Sequence, residues 1–236
     1  MYFGTPPIVT NGLVLNLDAA NRMSYPGSGN TWFDLSGMNN NATLITGSYS
    51  NVNGGAFVLD GVSRCISLGN PASLTVGANP FSIEYVLTTT NAGGFIFSKD
   101  LSGVPQNQFR SQFNASKIIY ILSNSNNTDS LYSTDYTLAT TFSITGNIIY
   151  HVCVTRSGTL YNMYINGVRN ITASTSTIIN HSNSTEYVIG ARSVAGGGYT
   201  GFMSGNIYLF RQYNIELSPE QVLRNFESTK SRFNLS

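Results

Sequence analysis

Hydrophobic and polar residues alternate along most of the chain, which is the pattern of half-buried β-strands. In residues 160–165, for example, Tyr161, Met163 and Ile165 alternate with more polar neighbours, so one face of this strand can be buried. Turn residues separate such runs at the intervals typical of an antiparallel sandwich. The predicted strands are residues 12–18, 42–45, 56–59, 65–68, 81–89, 94–98, 109–114, 117–123, 148–156, 160–165, 187–190 and 205–213.

Two local signals define the C-terminal third. Asn166 and Gly167 follow the strand at 160–165, and this dipeptide favours a type I′ hairpin turn because both residues tolerate positive φ. The sequence at 218–221, Ser-Pro-Glu-Gln, provides an N-cap, a proline at the first helical position and a capping-box glutamine. We therefore predict a hairpin and then a helix that ends at about Lys230.

The N-terminal part is less regular. Residues 1–11 have no periodicity and predict an extended arm, and residues 12–236 predict a single domain. Residues 21–41 are rich in Gly, Ser, Pro and Asn and predict a long loop. If the arm attaches the domain to a partner, its contact residues would be Tyr2, Phe3, Pro6 and Pro7.

Composition limits the partners. Only 10% of the residues are charged and the net charge is +1, against about 25% charged residues in an average globular protein. The low fraction of charged residues and the net charge near zero argue against nucleic acid or an anionic membrane as a partner. The N-terminus has no secretion-signal pattern, and no apolar run approaches the length of about 18 residues that a membrane span needs. We expect a chain that is neither exported by its own signal nor inserted in a membrane.

Seven short motifs occur in the order found in one superfamily. The chain resembles the laminin-G-like, concanavalin A-like jelly-roll superfamily, specifically its short domains related to pentraxins. The resemblance implies an all-β fold, a sandwich of two antiparallel sheets with a short C-terminal helix. Residues 12–37 also resemble the opening of such domains in tailed-bacteriophage structural proteins. The seven motifs lie at residues 57–61, 81–84, 95–99, 151–154, 164–167, 205–207 and 217–220.

The enzymatic chemistry of the superfamily does not carry over. Its glucanases place carboxylates at alternate positions on one strand, because retaining hydrolysis needs two carboxyl groups about 5–5.5 Å apart. In this chain Glu84 has no such partner nearby. His151 and Cys153 share a strand face, but no oxyanion motif accompanies them and the superfamily has no such activity. We predict that the protein is not an enzyme.

The calcium sites of pentraxin-like domains are also unsupported. The corresponding loops, residues 102–108 and 191–199, contain no Asp or Glu. We therefore predict no cofactor, although a metal held partly by backbone carbonyls stays open. Four aspartates are more consistent with turn or loop capping than with metal binding: Asp18, Asp34, Asp60 and Asp100.

The two cysteines are expected to be buried free thiols. Cys153 matches one half of the pentraxin disulfide, but the strand at 81–87 has no cysteine to supply the other half. Cys65 lies in a different apolar run, and a disulfide between the two is the less favoured alternative.

Sugar binding is the functional hypothesis with the best chemical basis. Lectin-like sites pair an aromatic ring with polar groups on loops, because sugars present both C–H faces and hydroxyls. Candidate residues are Tyr25, Trp32, Tyr199 and Arg192. The alternative for Trp32, the only tryptophan, is that it anchors the long first loop onto the core.

These observations give two hypotheses of function. The first is a non-enzymatic virion structural protein of a tailed phage, a head decoration, fibre, neck or tail component acting in attachment and display. It would be located in the virion, bind other virion proteins, form a homo-oligomer and adhere to host-surface glycans. The alternative is a carbohydrate-binding, lectin-like module of a bacterial surface protein.

Overall fold

Two antiparallel sheets face each other in the computed structural model of the chain, and one helix follows the last strand. The structure describes residues 5–90, 93–102, 108–114, 117–123, 137–140, 143–175 and 178–236. The elements are β1 (Leu13–Asp18), β2 (Thr31–Trp32), β3 (Ala42–Ile45), β4 (Tyr49–Ser50), β5 (Ala56–Asp60), β6 (Cys65–Ser67), β7 (Phe81–Thr89), β8 (Gly94–Ser98), β9 (Leu101–Ser102), β10 (Gln108–Asn114), β11 (Lys117–Ser123), β12 (Thr137–Ala139), β13 (Tyr150–Ser157), β14 (Leu160–Ile165), β15 (Val168–Ser174), β16 (Val188–Ile189), β17 (Arg192–Val194), β18 (Tyr199–Thr200), β19 (Ser204–Tyr213), the helix α1 (Pro219–Phe233), and two 3₁₀ turns at Val52–Gly54 and Ala72–Leu74.

The strand order is non-local. Sheet A has the order β15-β14-β13-β7-β19-β5-β4, and β1 also pairs with β19. Sheet B has the order β12-β11-β10-β8-β16-β6-β3-β2. A third, small sheet contains β18, β17 and β9. Neighbouring strands such as β7 and β19 are far apart in sequence, which is typical of a jelly-roll sandwich and confirms the predicted fold class.

The central strand β7 is buried on both faces. Phe81, Ile83 and Tyr85 point into the aromatic core between the two sheets. Glu84 points the other way and contacts Asn225 of α1, so the helix covers the outer face of sheet A. Because both faces are covered, all nine residues of β7 are buried.

Helix α1 begins as predicted. The Ser218 hydroxyl accepts a hydrogen bond from Gln221 N (3.3 Å), and the Gln221 side chain accepts one from Ser218 N (2.9 Å), which completes the capping box. The helix ends at Phe233, three residues later than expected, where Asn234 adopts a left-handed conformation with φ of 52°.

The first residues of the described chain pack on α1. Arg224 Nε donates to Pro7 O (2.7 Å), and Val9 N donates to Asn225 Oδ1 (2.8 Å). Val9 is 6% exposed. The last residues of the predicted arm are therefore packed against α1. Tyr2 and Phe3 of the expected attachment segment lie outside the described residues.

Seven strands were not among the predictions: β2, β4, β9, β12, β15, β17 and β18. Six of them contain only two or three residues, too few for an alternating pattern to be recognised. The seventh, β15, follows the predicted turn at Asn166-Gly167 and consists largely of polar residues.

Candidate functional site

Two of the predicted glycan-binding residues lie in the core. Trp32 is fully buried, and its ring lies 4.6 Å from that of Phe57 in an edge-to-face contact. Tyr25 is 4% exposed, and its hydroxyl donates to Gly29 O (3.0 Å). The assignment of these rings to a sugar site is therefore wrong, because neither presents a face to solvent. The alternative, that Trp32 anchors the first loop onto the core, is confirmed.

Arg192 and Tyr199 lie on one hairpin, formed by β17 and β18, but they have different partners. Arg192 Nε donates to Asp100 Oδ1 (3.0 Å), and Arg192 Nη2 donates to Leu101 O (3.1 Å). Asp100 is fully buried and also accepts from Arg110 Nη1 (2.6 Å). The Arg192 guanidinium thus holds the hairpin against β9 and is already engaged by protein groups.

Tyr199 is the predicted residue that keeps a partly exposed ring. Its hydroxyl donates to Glu186 Oε1 (3.0 Å), and Ser193 and Ser67 also donate to this carboxylate. Burial and the neighbouring Glu186 charge raise the pKa of Tyr199 to about 12. The ring therefore stays neutral at physiological pH and is held in one orientation beside the loop of residues 195–198.

The buried polar groups of sheet A form a structural network. His151 and Glu84 are fully buried, with His151 Nε2 3.2 Å from Glu84 Oε1. Cys153 is fully buried, and burial together with the Glu84 charge raises the pKa of its thiol well above the usual range. A buried, protonated thiol is a poor nucleophile. Both cysteines are free and buried, as predicted.

The predicted capping roles of the aspartates are confirmed for Asp60. Its carboxylate accepts from the backbone N–H groups of Val62 (2.9 Å), Ser63 (2.8 Å) and Arg64 (3.0 Å). These hydrogen bonds hold the pKa of Asp60 well below its usual range.

Within the described ranges, no group of three or more His, Cys, Asp or Glu side chains is arranged to hold a metal ion.

A concave site that the sequence did not predict lies at the β14–β15 hairpin. We call it the hairpin pocket; its volume is about 380 Å³. One side is apolar, and Val168 there is 68% exposed. Asn166, Arg169 and Asn170 add polar groups to its lining. Its lining residues are Tyr150, Ile165, Asn166, Val168, Arg169 and Asn170.

The turn beside the pocket is the predicted type I′ turn. Asn166 and Gly167 have φ of 50° and 77°. The Asn166 side-chain oxygen accepts from His151 N (3.0 Å), and Asn166 N donates to His151 O (2.8 Å), so the turn is fixed to β13. A Cβ atom on Gly167 would lie 2.8 Å from the Phe226 ring. Glycine is thus required both by the turn and by the contact with α1.

A β-bulge in β15 shapes the part of the pocket that residues 168–170 line. Met163 of β14 pairs with Ile171 of β15. The next residue of β14 pairs with Arg169, so Asn170 is the extra residue. In a regular strand successive side chains point to opposite faces, whereas a bulge redirects them locally. Residues 168–170 can therefore all line one pocket although they are consecutive.

The pocket contains polar groups that the protein does not use itself. The Arg169 side chain makes no hydrogen bond or ion pair with any described residue, and Arg169 is exposed. The side-chain nitrogen Nδ2 of Asn166 likewise donates to no described residue, because Oδ1 is the side-chain atom that is engaged. None of the six lining residues carries a carboxylate. The pocket thus offers a cation, an amide donor and an apolar surface to a ligand.

Sequence reasoning found the turn but not the pocket. The Asn-Gly signal is local, whereas Tyr150 reaches the pocket from β13, 15 or more positions before the lining residues of the hairpin. The one available signal was the run Val168-Arg169-Asn170, which breaks the alternation of the preceding strand.

The fold and this site can now be compared with known proteins. Residues 60–223 match the sequence pattern described as the concanavalin A-like lectin/glucanases superfamily. The chain belongs to this superfamily. No curated protein sequence shows significant similarity to the chain. Within the described residues, no helix combines the length and the apolar character that crossing a membrane requires.

Solved structures with the same fold include binding domains of clostridial-type toxins. The binding domain of Paraclostridial Mosquitocidal Protein 1 superimposes with a TM-score of 0.70 at 14% identity, over 92% of this chain and 52% of that one. The binding domain of botulinum neurotoxin DC in complex with SialylT gives 0.70 at 14% identity, over 93% and 52%. The chain thus spans about half the length of these structures, and the likeness establishes the fold alone.

Proposed function

We propose that this superfamily member is a non-enzymatic, glycan-binding attachment module and that glycans bind in the hairpin pocket. The observation that carries the proposal is the pocket itself. Its lining places the exposed Val168 near the Arg169 side chain and the Asn166 side-chain amide, neither of whose N–H groups donates to a described residue. Small-ligand sites combine an apolar surface with a few polar groups that fix orientation. A sugar ring can place a C–H face on Val168 while its hydroxyls accept from the amide and the guanidinium.

Absence of catalysis is part of the proposal. Glycoside hydrolysis needs a general acid and a second carboxylate on either side of the bond. The pocket lining supplies neither group, and Glu84, the carboxylate of the central strand, lies buried beneath α1. A bound sugar would therefore be held and not cleaved.

Replacing Val168 with serine is expected to weaken glycan binding about fivefold, because roughly 1 kcal/mol of apolar contact with the sugar face is lost. The purified domain would first be screened on a glycan array, and the Kd of the best ligand then measured for both proteins by calorimetry. Val168 is 68% exposed, so the melting temperature should not change.

The matched control is Tyr199→Ala on the other hairpin. It should leave the Kd unchanged, since Tyr199 bonds to Glu186 and is not among the pocket residues. Loss of binding in Tyr199→Ala with unchanged binding in Val168→Ser would move the glycan site to the β17–β18 hairpin. If no glycan binds, the proposed function is wrong.

We further propose that the module is displayed on a virion of a tailed phage, in several copies, which would add avidity to weak individual sites. The phage-like sequence at residues 12–37 and the low fraction of charged residues, 10%, support this placement. Within the arm, Pro7 and Val9 already form hydrogen bonds with helix α1 of the domain. The residues before Pro7 are thus the proposed attachment segment, with Tyr2, Phe3 and Pro6 as its contacts.

Deleting residues 1–6 is expected to release the module from virus particles without lowering its melting temperature, because the docking contacts of Pro7 and Val9 are retained. The measurement is the amount of module that sediments with particles, for the full chain and for the shortened one. Failure of the full chain to sediment with particles would contradict the virion placement and would leave glycan binding untouched.

A further inference from the structure

The charge of the hairpin pocket points to a particular class of ligand. The pocket contains one formal charge, that of Arg169, and no lining carboxylate balances it. Most other Arg and Lys side chains of the described chain donate to a carboxylate or a carbonyl, as Arg211 does to Glu84 (2.7 Å) and Arg232 to Asp18 (2.6 Å). In a chain with so few charges, an arginine with neither kind of partner is available to an anion.

The surroundings keep Arg169 available. Arg169 pairs with Tyr164 and affects the pKa of its hydroxyl. The acidic residues that also affect the pKa of Tyr164 are Glu216 and Glu220. Glu220 interacts with the Ser218 hydroxyl (2.7 Å) at the helix N-terminus. Neither glutamate forms an ion pair with Arg169. The guanidinium therefore has no carboxylate partner within the part of the chain that the structure describes.

We propose that the hairpin pocket binds a glycan that carries a carboxylate, that is, one ending in a sugar acid, with the carboxylate on Arg169. A guanidinium matches a carboxylate through two parallel N–H···O bonds, which a neutral hydroxyl cannot reproduce. The exposed side chain of Val168 fits the C–H face of the sugar ring, and the Asn166 side-chain amide fits a ring hydroxyl or acyl oxygen. The bulge at Asn170 lets Val168 and Arg169 line the same pocket. This inference rests on the proposed function and specifies its ligand.

The experiment compares two sugar acids with their neutral counterparts. The methyl glycosides of glucuronic acid and of N-acetylneuraminic acid, and the methyl esters of both, would be titrated into the full chain by calorimetry. We expect the acids to bind about tenfold to a hundredfold more tightly than their esters, the range for hydrogen bonds to charged groups. The preference should shrink at high salt, because the guanidinium is exposed.

Variants of Arg169 assign the preference to this residue. Arg169→Ala should reduce the affinity for the acids to that for the esters, and Arg169→Lys should retain part of the preference, since it keeps the charge but not the planar fork. The matched control is Arg22→Ala, another exposed arginine, which donates only to Pro26 O (3.1 Å) among described residues and lies in the loop of residues 21–41. It should leave every affinity unchanged. Because the Arg169 side chain forms no hydrogen bond or ion pair with a described residue, its variants should melt at the same temperature as the parent.

The possible results separate this inference from the proposed function. Equal binding of acids and esters, unaffected by Arg169→Ala, would overturn the acidic-glycan assignment while leaving a glycan-binding module. An acid preference that persists in Arg169→Ala would place the anion site elsewhere and would also overturn the inference. Binding of neither acids, esters nor any array glycan would refute both.

Discussion

Replacing Glu84 with alanine is expected to lower the free energy of unfolding by about 3–5 kcal/mol, because it leaves buried charge without a partner. Arg211 Nη1 lies 2.7 Å from Glu84 Oε1, and Asn225 Nδ2 donates to Glu84 Oε2 (2.5 Å). His151 Nε2 lies 3.2 Å from the first of these oxygens. One carboxylate thus connects three strands of sheet A with α1, and its removal affects both the sheet and the docking of the helix.

Urea unfolding followed by circular dichroism would measure the loss. Glu84→Gln keeps the shape and part of the hydrogen bonding, so its cost should be smaller than that of alanine. The matched control is Glu216→Ala, a partly exposed carboxylate with no ion pair among the described residues, for which we expect a change within about 0.5 kcal/mol. A cost below about 1 kcal/mol for Glu84→Ala would contradict the central role of this carboxylate.

The acid sensitivity of the fold provides a second measure of the same residue. Burial opposes the ionisation of Glu84, but the Arg211 charge, the nearby His151 ring and a hydrogen bond from Asn225 outweigh it and lower its pKa to about 2. Since the ordinary pKa is 4.5, the unfolded chain takes up the proton first. The stabilisation is complete above pH 4.5 and is lost as the pH falls toward 2. Glu84→Gln should lack this part of the pH dependence.

Replacing Trp32 with alanine should cost about 3–5 kcal/mol, the range for deleting a large buried aromatic side chain. The ring is fully buried and packs against Phe57 at 4.6 Å. Its indole N–H has no hydrogen-bond partner in the described structure, so Trp32→Phe should be clearly less costly. The measurement is again the free energy of unfolding in urea, combined with the glycan affinity at a temperature where the variant is folded.

The neighbour Phe33 provides the control for Trp32. Phe33 follows Trp32 directly but is 42% exposed, and its replacement with alanine should change stability by no more than about 0.5 kcal/mol. We expect folded Trp32→Phe to bind glycans as the parent does. If Trp32→Phe instead lost glycan binding at unchanged stability, the ring would be part of a sugar site and the buried position would be incorrect.

Local chemistry explains which parts of the fold could be predicted. The Asn166-Gly167 turn and the capping box at Ser218 each depend on residues within a few positions, so sequence alone was sufficient. Trp32 illustrates the limit: its polar, glycine-rich neighbours left both a sugar platform and a core anchor open. Its burial against Phe57, which is distant in sequence, decides for the anchor. Propensity and spacing carry no information on such a contact.

The candidate site was beyond sequence reasoning for the same reason. Arg192 looked like a ligand-binding residue, but Asp100, 92 positions earlier, holds it. Arg169 was not among the predicted site residues, yet it is informative because its side chain has no hydrogen-bond or ion-pair partner among the described residues. The bulge at Asn170 depends on the register between β14 and β15, and register is a property of the assembled sheet and not of either strand.

The bulge has a further consequence if the domain is displayed in several copies, as proposed. β15 is at the edge of sheet A, and an edge strand with a regular row of free N–H and C=O groups can pair with the same strand of another molecule. The extra residue at Asn170 interrupts that row and bends the strand. Crowded neighbouring domains would therefore find no straight edge to extend, and each copy would remain a separate folded unit with the proposed hairpin pocket accessible.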